Sequence, residues 1–352
     1  MSNKNLLSGR DKELQELAEQ YEAAMSENKP FYQDADELAD LADWYGTKKR
    51  YDKAFEIVEY GLKLHPDSTE LMIEYAYLHL DNGKQAKARE IIENLPDTYS
   101  PEAKVVRAHL LLSEGKLDDA EQLLDTIEDK ADLANVVDVS YMYLDMGYPD
   151  KALAWLDPVK EEYSDEEAYI AVVADCLYGK GMTEEAIPLY NRLIDMNPYS
   201  APYWFGLARC HFEEMNFNQA IDACDYALVG ADEFADAYVM KGHCFYQLGN
   251  EDAALEYYQK AEELHGLAPE FIYTYIGLCK VSKGEWKEGY ENLEKAILEN
   301  ETDEIASPIL PSLYANAGLC LSKMGKKRKA HQYCKKAHKL SPEEPESLLI
   351  EG

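Results

Sequence analysis

The hydrophobic and polar positions along this chain alternate with the spacing of amphipathic helices, and one segment around Gly249 shows the pattern fully. The positions that would face a neighbouring helix are Tyr238, Lys241, Gly242 and Phe245 before the glycine and Ala254, Tyr257, Tyr258 and Ala261 after it. Offsets of three and four residues place such positions on one face of a helix. The segment therefore predicts two amphipathic helices of about 14 residues each, joined by a tight turn.

A small residue recurs at one phase of this pattern along most of the chain. It is Ala54, Ala88, Ala120, Ala152, Ala186, Ala220, Ala254, Gly289 and Ala330, at steps of 32 to 41 residues. Twelve positions before each lies a second one: Ala42, Ala76, Ala108, Ser140, Ala174, Ala208, Gly242, Gly277 and Gly318. A fixed period of about 20 to 50 residues is typical of a stacked repeat array, and small side chains let paired helices approach to about 8–10 Å.

A glycine precedes the first of these small residues by five positions in most units. The glycines are Gly83, Gly115, Gly147, Gly181, Gly249, Gly284 and Gly325, and Lys49 and Met215 occupy the same place in the two other units. Glycine enters the left-handed region without a Cβ penalty, so it commonly ends a helix before a turn. Each unit is therefore predicted to be a helical hairpin.

The segment GHCFYQLGNEDAALEYYQKA, from Gly242 to Ala261, resembles the tetratricopeptide repeat (TPR) family, whose 34-residue unit has this order of aromatic, small and turn residues. Closing prolines stand at Pro66, Pro198 and Pro342. The resemblance covers about residues 35 to 344. It implies nine TPR-like units that begin near Ala35, Thr69, Pro101, Leu133, Glu167, Ala201, Ala235, Glu270 and Pro311. It also implies an all-α fold, a right-handed α-solenoid (superhelix) of antiparallel helix pairs.

These patterns predict one continuous array with short additions at its ends. We expect a flexible N-terminus at 1–10, an N-terminal capping helix at 11–30, a single solenoid of nine helical hairpins at 31–344 and a C-terminal tail at 345–352. Pro158 and Pro188 fall inside predicted second helices, where proline removes a backbone hydrogen bond and favours a bend. The sequence lacks both an apolar run of 18 residues and a signal-peptide pattern, which indicates a cytoplasmic protein without membrane insertion.

The candidate chemical residues follow the repeat rather than the spacing of a reactive site. All seven cysteines occupy repeated helix positions, which predicts small buried apolar side chains rather than disulfides or metal ligands. The motifs of zinc proteases, phosphate-binding loops, dinucleotide-binding folds and serine hydrolases are missing from the sequence. We therefore expect no enzymatic activity, no catalytic residue, no metal and no cofactor.

Charge is the strongest compositional signal. The formal net charge is −33, with 68 acidic against 35 basic residues, which disfavours nucleic acid as a partner because phosphate contacts need clustered Lys and Arg. One segment near the C-terminus has the opposite sign. Its basic residues are Lys323, Lys326, Lys327, Arg328, Lys329, Lys335, Lys336 and Lys339, with no acidic residue between them. This basic patch is either a solvated face of the last helix pair or a docking site for an acidic partner, including a second copy of the chain.

The family resemblance also implies which positions would line a peptide-binding groove. In TPR arrays the first helix of each hairpin lines the inner surface, through slots one and four residues after the small residue and three residues before it. The candidate groove residues are Asp43, Tyr77, His109, Tyr141, Asp175, Tyr178, Phe205, Arg209, Phe212, His243 and Tyr246. Aromatic rings offer rigid contact area, and carboxylates select Lys or Arg. The alternative for each aromatic residue is ordinary packing.

The sequence thus favours a non-catalytic scaffold that binds a protein or peptide segment, one with basic residues, in the concave groove. Two alternatives stay open at this point. One is a self-assembling structural protein that forms homo-oligomers through its C-terminal end. The other is a regulatory or accessory subunit of a larger complex.

Overall fold

The computed structural model describes residues 11–27, 29–264, 269–300 and 308–341, and every regular element in these residues is helical. The predicted all-α class is therefore confirmed. The chain divides into two compact units, Met1–Glu214 and Met215–Gly352, and each is described by itself.

The first unit opens with helix α1 (Asp11–Ser26) and continues with consecutive packed helix pairs. The pairs are α2 (Ala35–Thr47) with α3 (Tyr51–Leu64), α4 (Thr69–Asp81) with α5 (Gln85–Glu93), α6 (Pro101–Ser113) with α7 (Leu117–Leu124), α8 (Leu133–Asp145) with α9 (Pro149–Leu156), and, after the short α10 (Lys160–Tyr163), α11 (Glu167–Gly179) with α12 (Thr183–Met196). Helix α13 (Ala201–Glu213) packs on α12 and ends the unit.

The second unit has the same organisation. Its helices are α14 (Phe217–Gly230), α15 (Ala235–Gln247), α16 (Glu251–Glu263), α17 (Pro269–Ser282), α18 (Trp286–Asn300), α19 (Leu310–Lys323) and α20 (Lys327–Leu340). The most extensively packed neighbours are α17 with α18 and α19 with α20, so hairpin packing dominates here too.

The first helices begin where the repeat predicts. Seven of the nine start at the predicted residue, and the two others start one residue earlier, at Pro269 and Leu310. Four of these helices are capped by a side chain that accepts a hydrogen bond from the backbone N–H three residues on, which satisfies a donor that the helix leaves unpaired. The capping residues are Asp34, Ser68, Ser100 and Asp132, at distances of 3.1 to 3.2 Å.

The turn inside each hairpin uses a left-handed residue. All seven predicted turn glycines have positive φ, from 69° to 78°. The two exceptions in sequence, Lys49 and Met215, adopt the same conformation, with φ of 59° and 57°. The turn geometry is therefore set by the repeat, and the residue type adapts to it at some cost in backbone energy.

The recurring small residues lie where two helices come close. The anchor alanines Ala54, Ala88 and Ala120 are fully buried, as are their counterparts in the following units of the first compact body. At Gly242, an added Cβ would lie 2.5 Å from Cε1 of Tyr258, closer than real contacts allow. Small residues at these slots are thus required by the close helix packing that the sequence predicts.

Helix α1 covers the first hairpin with an apolar face. Leu14, Ala18 and Tyr21 are buried in one cluster with residues of α2 and α3. The hydroxyl of Tyr45 donates a 2.8 Å hydrogen bond to Glu22 of α1. Helix α1 therefore closes the apolar end of the array at this side.

Three second helices are shorter than expected. Helices α7 and α9 have eight residues each and α5 has nine, against 14 in α3. Pro158 does not lie inside an α-helix as predicted: it sits in a 3₁₀ segment, Asp157–Val159, since the missing N–H of proline interrupts the α-helical ladder after Leu156. Pro188 does lie inside α12.

The cysteine prediction is confirmed as far as burial and pairing are concerned. All seven cysteines are buried, each at most 3% exposed, and no two of them are joined in a disulfide. Burial raises the pKa of the Cys176 thiol to about 12 and that of Cys210 to about 11. The predicted flexible N-terminus at 1–10, the closing Pro342 and the tail at 345–352 lie outside the described residues.

A candidate binding groove in the first unit

The first helices of four successive hairpins line a groove of about 460 Å³ in the first unit. Its lining is rich in carboxylates, and no Lys or Arg of the described residues belongs to it. The nine acidic residues are Asp36, Asp40, Asp43, Glu70, Glu74, Asp97, Glu102, Asp138 and Asp145. We refer to this surface, between Asp36 and Asp145, as the acidic groove.

The acidic groove has an exposed rim and a buried floor. Asp36 and Glu70 are exposed at the rim, whereas Asp43 is 3% and Glu74 6% exposed at the floor. Burial, and then the charge of Asp43, raise the pKa of Glu74 well above its ordinary value. At the rim, burial followed by repulsion from Glu70 raises the pKa of Asp36. The carboxylates therefore crowd one another, and a bound cation would relieve their repulsion.

Aromatic and imidazole rings form one wall of the acidic groove. The rings of Tyr77 and His109 pack edge to face with centroids 5.6 Å apart. His109 is 7% exposed, and its Nδ1 is buried without a hydrogen-bond partner among the described residues. Burial lowers the pKa of His109 to about 4, so the ring is neutral at physiological pH. The wall thus offers a ring face and a neutral nitrogen.

Three apolar residues form a strip between the carboxylates. Ala39, Ile73 and Val105 each stand three residues before the small residue of their helix, and all three line the acidic groove. The same slot on consecutive helices therefore produces a continuous apolar surface.

A second cluster of polar side chains surrounds Asp175 on α11, the first helix of the next hairpin. Its carboxylate accepts hydrogen bonds from Arg209 Nη2 at 2.8 Å, the Tyr190 hydroxyl at 2.7 Å and the Tyr141 hydroxyl at 3.2 Å. The Arg209 guanidinium lies over the ring of Tyr178, 4.4 Å from its centroid. We call these five residues the Asp175 cluster. Because Arg209 is engaged within the protein, it stabilises the inner face more than it offers a free charge.

The structure brings many of the sequence-predicted groove residues together. Asp43, Tyr77, His109 and Tyr141 line the acidic groove, and Tyr141 links it to the Asp175 cluster. Phe205 lies against Arg209, with the guanidinium carbon 5.6 Å from its ring centroid. Eight predicted residues thus form one continuous surface in the first unit: Asp43, Tyr77, His109, Tyr141, Asp175, Tyr178, Phe205 and Arg209.

The other predicted groove residues lie elsewhere. Phe212 is partly buried near the end of α13. In the second unit, Nδ1 of His243 is 2.8 Å from the Tyr258 hydroxyl, and the His243 ring packs on Tyr275 at 4.5 Å. Tyr246 packs against the apolar cluster around Tyr258. These contacts give His243 and Tyr246 packing partners within their own unit.

Sequence reasoning missed most of the carboxylates of the acidic groove. Six of them occupy two further slots, six and two residues before the small residue of a first helix, as in Asp36 and Asp40 or Glu70 and Glu74, whereas Asp97 and Asp145 lie outside these slots. These slots share a helix face with the slot one residue after the small residue, because the intervals are four and three residues. The repetition of acidic residues at the same slot was the signal that could have identified them.

The basic patch lies on the end of α19, the following turn and α20, and all eight of its side chains are exposed. Part of it is held by its own unit: Lys329 donates to the Tyr290 hydroxyl at 2.7 Å, and Lys336 donates to the Tyr314 hydroxyl at 3.0 Å. Lys323 lies over the ring of Trp286. Within the described chain no acidic side chain forms an ion pair with the five others: Lys326, Lys327, Arg328, Lys335 and Lys339.

Two other kinds of site are absent from the described residues. No three side chains of His, Cys, Asp or Glu are grouped so that they could hold a metal ion. None of the described helices combines the length and the apolar character needed to cross a bilayer.

The hairpins and their shared inner surface define a class, the helical repeat proteins that are built from antiparallel helix pairs. Within that class the chain is a tetratricopeptide repeat protein. Models of the tetratricopeptide repeat match residues 47–108 and 311–344, and the model of the anaphase-promoting complex, cyclosome, subunit 3, matches residues 179–261. Proteins of this family generally mediate protein–protein interaction and scaffolding. A comparison with curated protein sequences finds no match.

Solved structures of other repeat proteins share the fold. The APC/C hetero-tetramer Cut9–Hcn1 matches 96% of this chain and 75% of its own, at 18% identity and a TM-score of 0.50. PilF of Pseudomonas aeruginosa matches 63% of this chain and 97% of its own, at 14% identity and a TM-score of 0.54. The human IFIT1 dimer with PPP-AAAA matches 87% of this chain and 83% of its own, at 14% identity and a TM-score of 0.51. At these identities the likeness concerns the fold alone.

Proposed function

We propose that this protein is a non-catalytic scaffold whose acidic groove binds a basic segment of a partner protein. The observation that carries the proposal is the lining of the groove: nine carboxylates from four hairpins, with no Lys or Arg among the described residues that line it. A surface of this kind attracts cationic side chains over a distance and suppresses binding of acidic ones.

The shape and the apolar content of the acidic groove support a peptide rather than a flat protein surface. Tyr77 and Tyr141 are 9% and 7% exposed, so their rings form rigid walls that need little ordering on binding. The strip of Ala39, Ile73 and Val105 runs between the carboxylates and would contact the aliphatic parts of basic side chains. A segment with alternating basic and small residues fits both features.

The test compares charge neutralisation in the acidic groove with the same change elsewhere. A fluorescein-labelled Lys/Arg-rich peptide and a Glu-rich peptide of equal length serve as probes, with binding followed by anisotropy. The groove variant is Asp36→Asn with Glu70→Gln, and the matched control is Asp118→Asn with Asp119→Asn on the exposed face of α7. We expect the groove variant to weaken binding of the basic peptide about tenfold and to reduce its salt dependence, because two charges are lost.

The control variant has the same net charge as the groove variant, so it reports the effect of overall charge alone. It should change affinity by less than about twofold, since its carboxylates lie on a second helix outside the groove. Equal effects of the two variants, or failure of the basic peptide to bind better than the acidic one, would contradict the proposal.

A second candidate function is self-association through the basic patch, and a specific observation favours it. Five basic side chains of the patch have no acidic partner in the described chain, while the acidic groove is lined by nine carboxylates and, among the described residues, by no Lys or Arg. The patch of one copy therefore complements the groove of another in charge. We propose that head-to-tail contact of this kind is the route by which copies of the chain assemble.

A charge-exchange experiment tests this candidate by sedimentation at low and high salt. One variant carries Asp40→Lys and Asp138→Lys in the acidic groove, and the other carries Lys327→Glu and Lys335→Glu in the basic patch. Each variant alone should be monomeric, and a mixture should form a 1:1 complex, because each supplies the surface that the other has lost. A wild-type protein that is monomeric at every salt concentration, or a mixture without complex, would refute it.

A further inference from the structure

We propose that residues 1–10 of this chain occupy the acidic groove as an internal ligand, so that a partner must displace them before it binds. This inference rests on the proposed function of the groove and adds its regulation. The segment has the sequence MSNKNLLSGR and immediately precedes α1, which begins at Asp11. The groove is then closed by the protein itself until a competing basic segment replaces this one.

The charge of the segment is complementary to that of the groove. Residues 1–10 contain Lys4 and Arg10 and no acidic residue, although the whole chain has 68 acidic against 35 basic residues. The groove is lined by nine carboxylates and, among the described residues, by no Lys or Arg. Opposite charges draw such surfaces together and disfavour the acidic remainder of the chain as an occupant.

The apolar part of the segment matches the groove as well. Leu6 and Leu7 stand between the two basic residues. The groove contains the apolar strip of Ala39, Ile73 and Val105 between its carboxylates. Leucine side chains that leave water on such a strip stabilise binding, so the segment offers both kinds of contact that the groove can make.

The electrostatics of the groove supports a cation that belongs to the chain itself. Burial, and then the charge of Asp43, raise the pKa of Glu74, and the chain's terminal ammonium acts in the opposite direction. Burial raises the pKa of Asp145, and the ammonium again opposes the increase. Burial, and then the same ammonium, lower the pKa of His109. These side chains line the groove on α4, α8 and α6, so one ammonium acts on three of its helices.

The length of the segment is sufficient to cover the groove. Four first helices at interaxial distances of about 8–10 Å span about 30 Å, and ten extended residues reach about 33 Å. The segment is joined to α1, which packs on the first hairpin, and α2 of that hairpin contributes Asp36, Asp40 and Asp43 to the groove. Because the segment is tethered beside its site, its effective concentration there is about 1 mM.

The first test uses the full chain and reverses charge in the segment. The variant is Lys4→Glu with Arg10→Glu, and the matched control is Lys63→Glu with Lys160→Glu, at two exposed residues outside the groove. Anisotropy with the fluorescein-labelled Lys/Arg-rich peptide should show about tenfold tighter binding to the segment variant than to the wild type, as expected if the free segment has a Kd of about 0.1 mM. The control, with the same net charge, should bind less than about twofold more tightly than the wild type.

A synthetic peptide tests the segment apart from the tether. The peptide MSNKNLLSGR should displace the labelled peptide from the segment variant. The same peptide with Lys4 and Arg10 replaced by Glu should not displace it, because the cations that pair with the carboxylates are missing.

Carbodiimide coupling then locates the segment in the wild type, since it joins an amine directly to a neighbouring carboxylate. The amines of Lys4 and of the terminus should couple to carboxylates of the acidic groove, as identified by proteolysis and mass spectrometry. Excess Lys/Arg-rich peptide should reduce this coupling. In an equal mixture of ¹⁵N-labelled and unlabelled protein, each coupled pair should contain one isotope only.

The outcomes distinguish this inference from the proposed function. If the segment variant and its control bind the labelled peptide equally, while Asp36→Asn with Glu70→Gln still weakens binding, the internal ligand is refuted and the groove function stands. If neither the wild type nor the segment variant binds the peptide, both are refuted. Coupled pairs that contain two isotopes, or that lie outside the groove, would also overturn the inference.

Discussion

Replacement of Gly206 by alanine tests the close contact on which the inner face of the first unit depends. A Cβ built on Gly206 would lie 2.2, 2.6 and 2.7 Å from three ring carbons of Tyr190, where normal contacts are about 3.5–4.0 Å. Tyr190 is 2% exposed, and its hydroxyl donates to Asp175. The ring therefore cannot move aside without disturbing the Asp175 cluster.

The magnitude follows from three contributions. Overpacking in a core costs about 1–3 kcal/mol. Loss of a hydrogen bond to a charged group costs about 1.5–3 kcal/mol. The better helix propensity of alanine returns about 1 kcal/mol. We therefore expect Gly206→Ala to destabilise the protein by about 2–4 kcal/mol, measured as a lower midpoint in urea denaturation followed by circular dichroism.

A matched control stands in the neighbouring first helix. A Cβ on Gly179 would meet its nearest neighbours, Leu144 and Pro149, at ordinary distances of 3.6 and 3.8 Å. Gly179→Ala should therefore be neutral or stabilising by up to about 1 kcal/mol. In a Tyr190→Ala background the clash is absent, so Gly206→Ala should stabilise there as well. Equal stability of Gly206→Ala and the wild type would refute the packing argument.

Four further predictions address the turns, the ionisable groups and the thiols. Met215→Gly should stabilise the protein by about 1 kcal/mol in urea denaturation, because Met215 has a φ of 57°, whereas Gly115→Ala, at a φ of 75°, should destabilise it by a similar amount. Burial lowers the pKa of His243 to about 4. The free energy of unfolding should therefore decrease as the pH falls from about 6.5 towards 4, by about 2 kcal/mol at pH 5. In urea denaturation, the free energy of unfolding of His243→Gln should depend less on pH. The pKa of Glu74 is raised, so its contribution to stability is present at low pH and lost as the pH rises through that raised value; Glu74→Gln should therefore be more stable than the wild type at pH 7.5, with the difference vanishing in acid. The seven buried thiols should resist a thiol reagent in the native protein and react at the rate of unfolding when urea is added; rapid labelling of the native state would contradict their burial.

The boundaries of the hairpins could be predicted from the sequence because they depend on local rules that recur. Small residues at two slots and a left-handed residue at the turn are needed in every unit, so the pattern appears in each. The turn at Lys49 shows how strong the repeat is, since a lysine adopts the glycine conformation there. The interruption at Pro158 was predicted only as a bend, because proline alone does not say whether a helix bends or ends.

The composition of the groove could be predicted only in part. In the first four units, the residues one position after the small residue, among them Asp43 and Tyr77, all line the groove. The acidic slots six and two residues before the small residue were missed, because the sequence analysis favoured the slot four residues after it. In that later slot, Leu112 is 4% exposed and packs in the core. Small differences in helix rotation decide which of two adjacent slots faces outward, and sequence spacing does not determine them.

Residues at one slot in consecutive units contact each other, which explains why single positions were hard to interpret from sequence. Arg209 pairs with Asp175, 34 residues earlier, and Asp175 in turn accepts from Tyr141, another 34 residues earlier. Arg209 therefore has a structural partner at the same slot, although in sequence it stands as an isolated basic residue. In a repeat protein the relevant neighbour of a residue lies one period away.

The repeat also separates the positions that build the fold from those left for recognition. Small and aromatic slots are fixed by helix packing, whereas the inner slots can vary without affecting the hairpin. In the fifth and sixth units these inner slots contain residues that satisfy one another, as Asp175 and Arg209 do. In the first four they contain carboxylates that repel one another, including Glu74, whose burial is unfavourable for folding. A repeat could replace such residues by neutral ones without loss of packing, so the fold itself does not require a carboxylate at position 74, and the pH dependence of Glu74→Gln tests this reasoning.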